Sequence, residues 1–211
     1  MLYIVTFLIA YLIAAINPAI VISKRVLKTD IRNLGSKNAG TTNAIRTMGK
    51  GVGAVVFILD LLKVVVSYGI ICLVAWLFKE NVSSSIKTLY MLASVLGHSY
   101  PAYYGFKGGK GVATALGILL TTNYQIGLIC LVFAVVLISL TRMVSVGSIA
   151  AAILFPVLTI FLSHENFIVP GNYFIYSIII ALIIIFNHRA NVKRLLNGTE
   201  NKISFKKKEE E

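Results

Sequence analysis

Seven apolar stretches occupy most of the chain, and they limit what it can fold into. Hydrophobic residues make up 57% of the sequence and charged residues 13%, whereas a soluble domain carries about 25% charged residues. A helix needs roughly 20 mainly apolar residues to cross a bilayer. The stretches are residues 1–22, 53–78, 88–104, 111–122, 124–140, 144–162 and 173–186. They predict an all-α polytopic membrane protein with about seven transmembrane helices, the fourth being half-length or tilted.

The positions of the basic residues predict the orientation of these helices. Most of the 20 Lys and Arg residues fall in four segments: residues 24–50, residues 98–110, the turn at Arg142, and residues 188–211. Cytoplasmic loops are enriched in Lys and Arg. Seven crossings therefore place these segments inside, with the N-terminus outside and the C-terminus cytoplasmic. We expect one membrane domain over residues 1–203 and a charged cytoplasmic tail over residues 204–211.

The net charge of +12 invites a nucleic-acid interpretation, which we do not favour. A nucleic-acid binder would carry its basic face on a soluble module, and the sequence has none. Topology and anionic ligands or lipids explain the charge better. No nucleic-acid partner is therefore expected, and the lipid bilayer is.

One segment between two apolar stretches has the composition of a phosphate-binding loop. It reads GHSYPAYYGFKGGKGVAT and contains KGGKG at residues 107–111. Glycines let main-chain N–H groups turn toward an anion, and the lysines supply positive charge. It is not a nucleotide P-loop, because that motif has Gly where Tyr104 stands and Ser or Thr where Gly111 stands. A charged turn that only fixes topology is the alternative.

A second segment, NLGSKNAGTTNAIRTM, leads into the second apolar stretch. Arg46 offers a planar fork suited to phosphate. The small residues around it can form hydrogen bonds, but Ser, Thr and Asn also cap helices, so an N-terminal cap explains part of the set equally well. These small residues are Ser36, Asn38, Thr41, Thr42 and Asn43.

A third segment, NHRANVKRLLNGTE, follows the last apolar stretch. His188, Asn191 and Arg194 recur every three residues, which places them on one face of a helix. Lys193 beside them is more typical of an anchor at the lipid headgroups. Within the second span, Asp60 and Lys63 are three residues apart and are expected to neutralise each other.

The three segments lie on one predicted side of the membrane and form an excess of cationic donors. Arg46, Lys107, Lys110 and Arg194 together are typical of a site for polyanions, with more than one phosphate group. No carboxylate cluster accompanies them, so a metal is not expected. No His has an Asp five residues later, and a Ser-His-Asp triad lacks its carboxylate. His98 alone is most simply a structural residue.

The three motifs together resemble the bacterial membrane-integral acyl-phosphate:glycerol-3-phosphate acyltransferases. The resemblance covers nearly the whole chain. The first motif departs from the usual family form, which has Gly where Lys37 stands and Ala where Thr41 stands. The small polar turn in the first span is also altered, at Asn17 and Pro18.

The resemblance implies transfer of a fatty acyl group from acyl-phosphate to the 1-hydroxyl of glycerol 3-phosphate, without a cofactor or a covalent intermediate. The enzyme would lie in the bacterial inner membrane with its site on the cytoplasmic side. The resemblance also implies that one group of residues binds glycerol 3-phosphate: Ser36, Arg46, Lys107, His188 and Asn191. A second group would hold the acyl-phosphate head: Thr42, Asn43, Gly108, Gly109, Lys110 and Gly111, with Arg194 adding charge.

The resemblance also implies partners upstream, namely acyl carrier protein and the enzyme that forms acyl-phosphate, as a functional link without direct contact. The alternative from another class is a membrane transporter for phosphorylated solutes, because broken helices with glycine loops also mark transport sites. The polar segments fall at one interface and the sequence shows no repeat, which favours the enzyme.

Overall fold

The computed structural model describes residues 1–162 and 173–203, and in these ranges the protein is helical. The predicted tail, residues 204–211, lies outside the described residues. The α-helices are α1 Leu2–Ala15, α2 Pro18–Val26, α3 Thr41–Leu77, α4 Ser84–Ser99, α5 Val112–Thr122, α6 Tyr124–Thr141, α7 Val144–Phe161, α8 Tyr173–Asn187 and α9 Arg189–Leu196. Short 3₁₀ helices cover Ile31–Asn33 and Ala102–Tyr104.

Four helical stretches of the described chain are long and apolar enough to cross a membrane. They are Leu2–Val26, α3, α6 and α7, and α8 with α9 would make a fifth if that bent pair is one span. The helix predicted as half-length, α5, has 11 residues. The apolar stretches are thus helical. Helices α4 and α5 are shorter than a full span, and they pack against α1 and α3, respectively.

The first apolar stretch is one predicted span but two helices. The chain breaks between α1 and α2, where Pro18 starts the new helix. The side chain of Asn17 caps it, because Oδ1 accepts from the N–H of Ile20 at 3.1 Å while Nδ2 donates to the carbonyl of Ala39 at 3.0 Å. The break therefore ties the first span to the loop before α3.

Helix α3 begins earlier than the second predicted span and is broken at Gly49. This residue has φ 90° and ψ 168°, a backbone conformation that residues other than glycine rarely adopt. The segment before the break folds back, so that a Cβ on Gly53 would lie 3.0 Å from the backbone nitrogen of Ile45. The break sets residues 41–48 apart from the apolar part of α3.

The four segments predicted to share one side contact one another. Hydrogen bonds join Tyr100 to Asn187 at 2.9 Å and the N–H of Ile203 to the carbonyl of Arg142 at 2.7 Å. The helix pairs α3–α4, α5–α6 and α7–α8 each begin and end at these segments. One end of the bundle therefore collects the polar segments.

Arg32 connects two of these segments, and the sequence analysis did not single it out. Its guanidinium donates to the carbonyls of Tyr104 at 2.8 Å and Lys107 at 2.9 Å. It also binds both carboxylate oxygens of Asp30, at 2.9 and 2.8 Å. These hydrogen bonds lower the pKa of Asp30 to about 2, so the pair remains ionised. It holds the loop between α4 and α5 against the loop between α2 and α3.

Candidate active site

A cavity of about 580 Å³ opens among the polar segments and continues between apolar helices. Its polar end is lined by the start of α3, the loop before α5, and the region of α8 and α9. Its apolar end lies among α5, α6 and α7, where the lining residues farthest along each helix from the polar segments are Leu119, Cys130 and Phe155. The cavity therefore suits a molecule with an anionic head and a long apolar tail.

Most of the predicted site residues line this cavity. Arg46, Lys110 and His188, one from each motif, are among them. The others are Ser36, Thr42, Gly111, Asn191 and Arg194. Four predicted residues do not line it: Asn43, Lys107, Gly108 and Gly109.

Two helix N-termini meet at the polar end of the cavity. Helix α3 starts after Gly40 and α5 starts after Gly111, and neither start has a side-chain cap. The first N–H groups of a helix have no partner within it, and with the helix dipole they favour anions. Thr41 adds a buried hydroxyl without a hydrogen-bond partner. The cavity thus holds two separate groups of donors for anions.

Lys110 stands between these donors and α9. Its ammonium donates to Oδ1 of Asn191. Burial lowers the pKa of Lys110 to about 8, and the nearby positive charges of Arg194 and Arg46 act in the same direction. An anion bound beside this ammonium would relieve both effects.

Asn191 and Arg194 are held by Glu200, whose part in the site the sequence analysis missed. Oε1 of Glu200 accepts from Nδ2 of Asn191 at 2.8 Å and from the hydroxyl of Ser145 at 3.0 Å. Oε2 accepts from Nε of Arg194 at 2.9 Å. Burial alone would raise the pKa of Glu200, but these hydrogen bonds lower it. Asn191 thus orients Lys110 with one end of its amide and is fixed by Glu200 at the other.

His188 lies at the bend between α8 and α9. Its Nδ1 is 2.8 Å from the carbonyl oxygen of Ile184. A carbonyl only accepts hydrogen bonds, so Nδ1 carries the proton and Nε2 of the neutral ring is free to accept. A backbone carbonyl therefore orients this ring.

Two glycines of the second motif, Gly108 and Gly109, serve a different purpose from the one expected. The N–H of Gly108 donates to the carbonyl of Ser99 and that of Gly109 to the carbonyl of His98, both at 3.1 Å. These N–H groups are paired within the chain and do not turn toward an anion. Their lack of side chains lets the loop approach His98 closely: a Cβ on Gly109 would overlap Nε2 of that ring.

Asn43 is buried and organises the first motif. Its Oδ1 accepts from the N–H of Ser36 at 2.8 Å, and its Nδ2 lies within 3.2 Å of the carbonyls of Ile31, Leu34 and Asn38. Its amide is occupied within the chain, so it shapes the loop that presents Ser36. The capping alternative also fails for Asn43, since the cap of α3 is Gly40.

The structure gives the backbone conformation of Lys37 and the location of Lys107, which the sequence does not predict. Lys37 has φ 58°, a left-handed conformation that explains why glycine suits this position in the related form. Lys107 is exposed and lines a neighbouring pocket of about 260 Å³. Lys110 lines both cavities, whereas Arg46 lines only the larger of the two.

In residues 1–162 and 173–203, no three His, Cys, Asp or Glu side chains stand close enough to hold a metal ion. The expected neutralisation of Asp60 is confirmed, because Lys63 Nζ lies 2.8 Å from its Oδ1.

The fold and the cavity define a multi-pass integral membrane protein with one cavity that joins basic side chains and two helix N-termini to an apolar cleft. The sequence model described as glycerol-3-phosphate acyltransferase matches residues 4–198. The chain belongs to this family.

Curated relatives match along nearly their full length. The glycerol-3-phosphate acyltransferase of Thermoanaerobacter pseudethanolicus is 41% identical over 203 residues, which is 96% of each chain. That of Clostridioides difficile is 40% identical over 205 residues, 97% of each chain.

A solved structure shares the fold. The crystal structure of PlsY (YgiH), an integral membrane glycerol 3-phosphate acyltransferase, in its glycerol 3-phosphate form gives a TM-score of 0.81 at 37% identity over 96% of each chain. Its lysophosphatidic acid form gives 0.79 at 37% identity, over 96% of this chain and 95% of that one.

Proposed function

We propose that the protein transfers a fatty acyl group from acyl-phosphate to the 1-hydroxyl of sn-glycerol 3-phosphate. The products are 1-acyl-sn-glycerol 3-phosphate (lysophosphatidic acid) and inorganic phosphate. The reaction takes place on the cytoplasmic side of a bacterial inner membrane. The forms of the related structure, with glycerol 3-phosphate and with lysophosphatidic acid, agree with the proposed acceptor and product.

The observation that carries this proposal is the combination of two donor groups and one apolar cleft in a single cavity. Both substrates carry a phosphate, and two phosphates held close together repel each other. The start of α3 with Arg46 offers one group of donors, and the start of α5 with Lys110 offers the other. The acyl chain extends into the cleft among α5, α6 and α7.

We assign glycerol 3-phosphate to Ser36, Arg46 and His188, with Lys107 guiding its phosphate from the neighbouring pocket. The acyl-phosphate head is assigned to the start of α5, with Lys110 and Thr42. Asn191 orients Lys110 directly, and Glu200 holds Asn191 and Arg194 together. Asn43, Gly108 and Gly109 contribute by shaping the two loops that carry these residues.

The chemistry needs positioning more than activation, because an acyl-phosphate is already an activated mixed anhydride. The hydroxyl oxygen attacks the acyl carbonyl carbon, a new ester bond forms, and the bond from carbon to the phosphate oxygen breaks. Phosphate leaves with its charge held by Lys110 and the helix N-terminus. The hydroxyl proton passes to a substrate phosphate oxygen, with Nε2 of His188 as the alternative acceptor.

Replacing His188 by Ala separates these two acceptors. If a phosphate oxygen accepts the proton, His188 only orients the hydroxyl, and we expect kcat to fall by about tenfold, the effect of one neutral hydrogen bond. Loss of general-base catalysis would cost about 10²–10⁴-fold. A collapse of that size in detergent, with glycerol 3-phosphate binding intact, would contradict the substrate-oxygen route.

We propose seven passes with the N-terminus outside. The three helix pairs that start and end at the polar segments support this, because each pair returns the chain to the same side. In this topology the short helix α5 crosses as a half-length or tilted helix, and α6 returns the chain to the inner side. Reaction of single cysteines introduced at Lys79 and Lys193 with an impermeant thiol reagent, in a background without Cys72 and Cys130, would test it.

The depth of the cleft limits the length of the acyl chain. Phe155 lies 11 residues beyond Val144 on α7, about 16 Å along the helix at 1.5 Å per residue. Replacing the buried Ala152 by Phe would fill the cleft after about 12 Å. We expect activity to shift toward acyl-phosphates several carbons shorter. Ile153→Phe, at an exposed position, is the matched control and should keep the original preference; an unchanged profile for Ala152→Phe would refute this path.

Purified protein in detergent tests the proposed reaction directly. Acyl-phosphate and glycerol 3-phosphate are mixed with a chelator present, and phosphate release and the new ester are measured. We expect equal amounts of both products and little release when glycerol 3-phosphate is omitted. A transporter of phosphorylated solutes would produce neither, since detergent removes the gradient it needs.

A further inference from the structure

Three ionisable side chains form a cluster inside the helix bundle that the proposed chemistry does not use. Asp60 and Lys63 come from α3 and His98 from the end of α4. Their side chains are 2%, 8% and 3% exposed. Ionisable groups are costly in such a position and are usually functional.

Lys63 is the centre of the cluster. Its Nζ lies 2.8 Å from Oδ1 of Asp60, 2.9 Å from Nδ1 of His98 and 3.0 Å from the carbonyl oxygen of Ile16. Its ammonium donates to the carbonyl of Ile16, pairs with the charge of Asp60 and faces the ring of His98. The carbonyl of Ile16 is available because the first span breaks at the next residue, so the cluster joins that break to α3 and α4.

His98 extends the cluster to the loop that carries Lys110. Its Nδ1 faces Nζ of Lys63 at 2.9 Å and Oδ1 of Asp60 at 3.3 Å, so Nε2 is on the opposite side of the ring. This side of the ring lies directly against Gly109. The carbonyl of His98 accepts from the N–H of Gly109 at 3.1 Å. The loop between α4 and α5 thus rests on His98, both through its backbone and through its ring.

We propose that Asp60, Lys63 and His98 are positioning residues for the acyl-phosphate site. The pair of Asp60 and Lys63 fixes the orientation of the His98 ring. His98 in turn fixes the position of residues 108–111 relative to α3 and α4. These residues set the place of the Lys110 ammonium and of the first N–H groups of α5. The proposal rests on the assignment of the acyl-phosphate head to Lys110 and the start of α5.

Neutralisation of charge is the simpler role, and a double variant separates it from positioning. Lys63→Met alone would leave a buried carboxylate without a partner, which destabilises a protein strongly. Asp60→Asn with Lys63→Met leaves no unpaired charge but also removes the donor to His98 and Ile16. His98→Ala is the second variant, because it keeps the ion pair and the backbone hydrogen bond to Gly109 and removes the ring that lies between the pair and the loop.

We expect both variants to raise KM for acyl-phosphate at least tenfold and to leave KM for glycerol 3-phosphate within threefold. Hydrogen exchange at the amides of Gly108 and Gly109 should be at least tenfold faster in both. Ser67→Ala is the matched control, since this buried hydroxyl of α3 bonds to the carbonyl of Val64 in its own helix and interacts with Tyr90 of α4, not with the cluster. It should change neither quantity.

A double variant with normal KM values and normal exchange would overturn the proposal and leave charge neutralisation as the only role. An effect of His98→Ala that the double variant lacks would also overturn it, since His98 would then act without the pair. The exchange measurement requires no turnover. If the unmodified protein fails to use acyl-phosphate, the proposed function fails, while exchange at Gly108 and Gly109 still decides whether the cluster positions the loop.

Discussion

Replacing Lys110 by Met is expected to lower kcat/KM for acyl-phosphate by about 10²–10³-fold, the usual effect of losing one donor to a developing charge. Lys110 is the cation nearest the start of α5 and is already partly desolvated, so it needs little reorganisation when phosphate leaves. Methionine keeps most of the volume and removes only the ammonium. Lys193→Met, at an exposed position on α9, should retain full activity. A loss below threefold at Lys110 would remove it from the site.

The same lysine predicts a pH limit. Its pKa is lowered to about 8 by burial and by neighbouring positive charge, and the charged form is the active one. Below pH 8 the ammonium is protonated and kcat/KM for acyl-phosphate is at its plateau; above it, kcat/KM falls about tenfold per pH unit. In Lys110→Arg the guanidinium stays charged, so the remaining activity should not decline between pH 8 and 10.

Replacing Arg46 by Ala is expected to raise KM for glycerol 3-phosphate about 100-fold with a much smaller change in kcat. A guanidinium can give phosphate two parallel charge-assisted hydrogen bonds, and losing about 2.7 kcal/mol corresponds to a factor of 100. Arg46 is exposed at the cavity entrance and has no described acidic partner, so its removal should not unfold the protein.

The control for this change is Arg25→Ala, an exposed basic residue on α2 outside the cavity. Both variants lose one positive charge from the same side of the protein, and only Arg46→Ala should affect KM. Equal effects would mean that Arg46 attracts the substrate by general charge and does not bind it.

Local sequence patterns predicted much of the fold and the broad location of the site. Hydropathy gave the helices, because lipid permits few other backbone states. The spacing of His188, Asn191 and Arg194 correctly placed them on one face, since helical periodicity is local. Arg46, Lys110 and His188 could be grouped because their segments shared a predicted side of the membrane.

What the sequence could not predict depends on contacts between distant segments. Glu200 holds Asn191 and Arg194 only because the chain turns back after α9. Gly108 and Gly109 look like donors for phosphate until the carbonyls of Ser99 and His98 are placed beside them. Asn43 looks like a ligand or a cap until the loop wraps around it. Propensity describes what a residue can do, and its partners decide what it does.

Binding of both substrates at once tests the central claim, that one cavity holds two phosphates at two separate helix N-termini. A non-hydrolysable acyl-phosphonate replaces acyl-phosphate, and radiolabelled glycerol 3-phosphate is titrated into the purified protein at saturating analogue. We expect one glycerol 3-phosphate bound per chain, with its affinity lost in Arg46→Ala and retained in Lys110→Met. Displacement of glycerol 3-phosphate by the analogue would show that the two compete for one phosphate site and would contradict the claim.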